Sequence, residues 1–174
     1  MPNFVQLYRS TDANSPVLTG QVGTMNALLQ AVLVDGYTTA SVTSITESGT
    51  TYTVTLAASN ATLNTNNYIT IAGCTGGFTA LNGVWKITVN SATEVTFVGP
   101  GSLGTPATGT ITYRKAPLAW TNAFATASNV ATFRPQSVTG RTNQYYLRVD
   151  DNGTNATPSY KECQVRGYVT MSDK

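Results

Sequence analysis

Histidine is missing from all 174 residues, and charge is scarce, with ten Lys and Arg and eight Asp and Glu making 10% of the chain. An average soluble domain carries about 25%. Without histidine a reactive thiol lacks its usual base, and general acid–base chemistry has less to draw on. A net charge of +2, scattered along the chain, gives no basic face for a nucleic acid. Two cysteines, Cys74 and Cys163, allow at most one bridge and no disulfide framework. Both read as small buried hydrophobes. No run approaches the ~20 apolar residues that a spanning helix needs. Residues 1–6, Met-Pro-Asn-Phe-Val-Gln, have neither the basic nor the apolar part of a secretory signal. Nucleic acid, membrane, metal and cofactor are therefore not expected, and cytoplasmic synthesis is the default.

What remains is 41% apolar, enough to bury a core, and rich in Thr, Ser, Asn and Gly. A β-branched side chain with one hydroxyl suits a half-wet strand. One segment has helical period. Between residues 21 and 34, Val22, Met25, Leu28, Leu29, Val32 and Leu33 form an amphipathic stripe. Thr19 is placed to cap its start, and Asp35-Gly36 to stop it.

From Thr38 the period becomes two. Strands are predicted over residues 40–46, 51–56, 68–72, 84–89, 93–98 and 109–113, with Glu47-Ser48-Gly49 and Asn82-Gly83 as turns. Pro117 breaks the run. Bulky apolar residues then return at Trp120, Phe124, Val130 and Phe133, and a hairpin spans Tyr145 to Tyr168. The fold class is mainly β: a small β-sandwich or barrel domain with one amphipathic helix, plus an inserted all-β, Ig-like module. Residues 1–37 and 114–174 form a discontinuous host, and residues 38–113 the insert.

Candidate chemistry is thin. The carboxylates fall in no catalytic motif, so no enzyme activity is expected. Asp150-Asp151-Asn152-Gly153 offers clustered oxygens but lacks the spacing of a calcium loop, and a hairpin turn accounts for it. Arg148 and Arg166 are placed to pair with Asp150 or Glu162 across that hairpin. Trp85 and Trp120 are the candidate glycan or interface aromatics.

Three segments also carry a resemblance. They are residues 7–20 with the helix and Val34-Asp35-Gly36-Tyr37, residues 116–124, and the pair 145–151 and 165–168. Together they resemble the accessory structural proteins of tailed bacteriophages, and residues 82–88 are similar to β modules that recur in virion proteins. The resemblance implies a virion component made in the host bacterial cytoplasm and assembled in many copies with major capsid or tail proteins. It supplies no active-site residues. Capsid decoration (head cement) is the expected role. The alternatives are a tail, neck or baseplate protein, and a carbohydrate-binding adhesion module.

Overall fold

The computed structural model describes residues 6–60, 62–104, 107–127, 129–136, 145–153, 163–169 and 171, with the backbone alone for 125–127. The chain divides into two compact units. One comprises Met1–Asn14 and Tyr37–Ala116, the other Ser15–Gly36 and Pro117–Lys174. The all-β unit takes in residues 6–14 together with 37–116. The reason is local: Gln6, Tyr8 and Asp12 direct their hydrogen bonds to the β unit.

The described residues of that unit form seven strands: β1 (Tyr37–Ser48), β2 (Thr51–Leu56), β3 (Tyr68–Thr75), β4 (Gly83–Lys86), β5 (Thr88–Ser91), β6 (Glu94–Val98) and β7 (Thr108–Lys115). Their order is β4-β3-β7-β1-β2-β6-β5, and every neighbouring pair is antiparallel. β4 and β5 lie at opposite ends of this order, yet only Ile87 separates them in the chain. One bent stretch therefore pairs with β3 through its first half and with β6 through its second. β1 divides in the same way: Ala40 and Ser41 face β7, and Ser44 onward faces β2, after a register shift. Strands that turn a corner in this manner curl a sheet into a barrel-like form. The expected mainly β sandwich or barrel is present as this curled sheet. β1 and the β4–β5 stretch each serve both halves of this sheet.

Period-two alternation fills the interior. Tyr52, Val54 and Leu56 from β2, Ile69 and Ile71 from β3, Val95 and Phe97 from β6, and Ile111 and Tyr113 from β7 are buried in one cluster. Each Val, Ile or Phe so buried contributes about 1.5–3 kcal/mol. Phe97 stacks on Tyr52 at 5.3 Å and on Trp85 at 4.8 Å. The β3–β7 register shifts between Ala72 and Cys74, where Gly73 and Gly109 both have positive φ. A Cβ on Gly73 would lie 2.0 Å from the Thr110 carbonyl oxygen, so only glycine lets the two backbones meet there.

In the second unit the predicted helix is present but altered. α1 covers Thr24–Leu29 and continues as a wider π-helical stretch, Gln30–Asp35. The Gly36 N–H donates to the Ala31 carbonyl at 2.8 Å, and the Gln30 side-chain amide to Asp35 at 3.1 Å, both five residues apart. Gly36 ends it as expected, but with φ 73° and ψ 176° rather than in the left-handed helical conformation. Thr19 does not cap the start. Gly23 is the N-cap, and the Met25 N–H donates instead to the Asp151 carboxylate at 2.9 Å. A distant carboxylate serves where a local hydroxyl was expected.

Four antiparallel strands accompany the helix in the order β11-β10-β9-β8: β8 (Trp120–Ala127), β9 (Val130–Pro135), β10 (Tyr146–Asp150) and β11 (Gln164–Tyr168). Ala131, Phe133 and Val149 pack with Leu33, flanked by Met25, Leu29, Val32 and Trp120.

Candidate functional site

The most concentrated chemistry of the described residues lies at one end of the β unit. Tyr37, which opens β1, and Lys115, which closes β7, stand opposite each other in register. Residues 6–13 are tied to this end by a chain of hydrogen bonds. The Gln6 side chain substitutes for a strand: it accepts from Tyr68 N–H at 2.8 Å and donates to the Tyr68 and Ala116 carbonyls at 2.9 and 3.2 Å. The Tyr8 hydroxyl donates to the Ala116 carbonyl at 2.7 Å. The Thr38 hydroxyl donates to the Ala13 carbonyl, and Ala13 N–H to the Thr62 hydroxyl at 3.1 Å.

Asp12 is the centre of this network. Its Oδ2 accepts from the Tyr37 hydroxyl at 2.6 Å and from Arg9 N–H at 3.0 Å, and it contacts the Lys115 ammonium directly. Asp12 is 6% exposed and Lys115 3%. The ammonium lies 5.6 Å from the centre of the Tyr8 ring and 5.8 Å from that of Tyr37, within cation–π reach of both. Burial pushes the Asp12 carboxyl up, but the hydrogen bonds from Lys115 and Tyr37 more than offset it, leaving it below the ordinary value. Burial drives the Tyr8 and Tyr37 hydroxyls far up, helped at Tyr37 by its bond to Asp12, so both remain protonated donors.

Sequence reasoning did not single out this pair. One signal was present: Lys115 continues the inward parity of Ile111 and Tyr113 along β7, and a lysine in phase with a core needs a buried partner. Nothing in the sequence pointed to Asp12, which lies 103 residues away.

The aromatics singled out beforehand sit elsewhere. Trp85 is half-buried against the barrel core, stacks on Phe97, and donates its indole N–H to the Leu81 carbonyl at 2.7 Å. Trp120 packs on the Phe133 cluster of the second unit. The two therefore belong to different units. In the hairpin, Arg148 stands opposite Arg166 in register and pairs with Asp150 at 3.4 Å, half-exposed. Arg166 donates to Gln164 at 2.7 Å, and Glu162 lies outside the described residues. Asp151 turns inward to the helix start. Cys74 and Cys163 are free thiols, one in each unit, and burial pushes both up. Among the described residues no group of His, Cys, Asp and Glu side chains is arranged to hold a metal.

A second polar anchor fastens the loop after β6. Glu47 accepts from Ser102, from Leu103 N–H at 2.8 Å and from Gly104 N–H at 3.0 Å. The Ser102 and Leu103 hydrogen bonds hold its carboxyl down to about 2.

No protein-family model, curated protein or solved structure matches the chain.

Proposed function

We propose that the chain is a structural component of a tailed-bacteriophage particle, acting as a decoration protein on the head surface. The observation that carries this reading is the edge strand β11. Among the described residues it closes one side of the four-stranded sheet, and Gln164, Val165, Arg166 and Gly167 are all exposed. Val165 is 50% exposed, and Val169 beyond the strand 66%. Exposed apolar residues on an edge strand favour pairing with another chain, which a protein assembled in many copies uses and a monomer must prevent. On this reading the partners are major capsid protein and further copies of the chain, its place is the virion after synthesis in the bacterial cytoplasm, and it has no catalytic role. Many weak contacts gain strength through avidity.

The tail, neck or baseplate reading uses the same edge and differs in location. The adhesion reading has less support, because Trp85 and Trp120 each serve a core. Immunogold electron microscopy, with an antibody to the recombinant chain, separates the three on particles purified from the strain that encodes it. Label over the head is the expected result. Label confined to the tail would transfer the role there, and unlabelled particles would overturn the virion assignment.

A further inference from the structure

From the Asp12–Lys115 pair we infer that the two side chains condense into an amide, a covalent cross-link that ties the N-terminal segment to the last strand of the barrel. The argument begins with a cost. A buried ion pair loses several kcal/mol of hydration per ion, and apolar replacements are frequently as stable, so such a pair is a poor device for stability alone. An amide in the same place carries no charge.

The geometry supplies what condensation requires. The amine and the carboxyl are in direct contact, and their side chains are 4% and 3% exposed. Tyr8 and Tyr37 flank the amine with aromatic faces. In water the reaction of a free amine with a free acid is unfavourable and slow. Two groups held in contact act at effective molarities of about 10⁵–10⁸ M, which shifts both equilibrium and rate toward the product.

The step balances without an oxidant or a co-reactant. Transient proton transfer from the ammonium to the carboxylate gives the reactive amine and carboxylic acid, although the hydrogen bonds to Asp12 favour the ionised pair at rest. The nitrogen lone pair of Lys115 attacks Cγ of Asp12, forming the C–N bond. The Tyr37 hydroxyl, already donating to Oδ2, stabilises the negative charge that develops on that oxygen. The C–O bond to the other oxygen then breaks, and the hydroxyl leaves as water with a proton from nitrogen. The product joins two residues 103 positions apart, and so encloses nearly the whole β unit. This inference is independent of the virion assignment.

The test is intact-mass spectrometry of the full-length chain under denaturing conditions, followed by protease digestion. The expected result is a mass lower than that of the sequence by one water, with a branched peptide joining Asp12 to Lys115. Lys115→Arg, whose guanidinium keeps the charge but does not condense, should restore the full mass. An unmodified wild-type mass would overturn the cross-link. So would a one-water deficit that persists in Lys115→Arg, since that deficit would arise from ring closure at another aspartate.

Discussion

The two units solve the same problem, burying a sheet, with different means. The barrel closes on itself: β1 and the β4–β5 stretch turn corners, and inward side chains from every part of the sheet meet in one cluster. The four-stranded sheet has no such closure and relies on α1 and the π-helical stretch to cover Ala131, Phe133 and Val149. The difference shows in where polar anchors sit. In the barrel they fasten the periphery, Asp12 holding residues 6–13 and Glu47 the loop after β6. In the second unit Asp151 fixes the cover itself, by capping the helix. A closed sheet uses polar bonds to secure additions, whereas an open one uses them to secure its core.

The largest break in this contrast is expected from Asp12→Ala. It leaves the Lys115 ammonium buried without its partner, and loss of one member of such a pair costs about 3–5 kcal/mol. Chemical unfolding followed by Trp85 fluorescence should move accordingly. The double variant Asp12→Leu with Lys115→Met removes the unpaired charge and should recover only the part of the loss that this charge causes. Phe133→Ala should cost a similar ~3–5 kcal/mol, this time in the second unit. Hydrogen exchange should record the loss in β8, β9 and β10 and leave β2 and β6 protected.

Smaller effects sharpen the comparison. Gly73→Ala forces a Cβ into the β7 backbone at positive φ and should cost about 1–3 kcal/mol, read as a lower unfolding midpoint of the barrel. Asp151→Ala removes the cap on the Met25 N–H and should cost about 0.5–2 kcal/mol, read as faster exchange of the amides in α1. Glu47 adds a pH dependence. Its folded value lies near 2, below the ordinary 4.5, so its contribution is complete above pH 4.5. That contribution declines as the pH falls through 4.5 and is lost below about 2. NMR shifts of Leu103 and Gly104 should follow this titration, and Glu47→Gln should abolish it.

The barrel was the more legible unit because β2, β6 and β7 each keep one phase along their buried positions. Val54 lies between Thr53 and Thr55 and Val95 between Glu94 and Thr96, so period two is visible without knowledge of the partner strand. β9 was opaque for the opposite reason. Val130, Ala131, Thr132 and Phe133 are all buried, so the strand has no alternation to read. The helix was found from its stripe, but a period of 3.6 gives no warning of a π-helical stretch, nor of a cap supplied by Asp151. Trp85 and Trp120 drew attention as flat faces, a property that sequence cannot separate from burial. The Asp12–Lys115 pair needed the fold, because only closure of β1 on β7 brings the two together.

Hydrogen exchange with mass spectrometry, on wild type and Asp12→Ala, tests most directly the claim that residues 6–13 belong to the barrel through this pair. In the wild type, amides of residues 6–13 should share the slow exchange of β3 and β7. In the variant they should exchange early and β3 and β7 should weaken with them, while β9 and β10 stay unchanged. Unaltered protection of residues 6–13 in the variant, or its loss together with β9 and β10, would contradict the account.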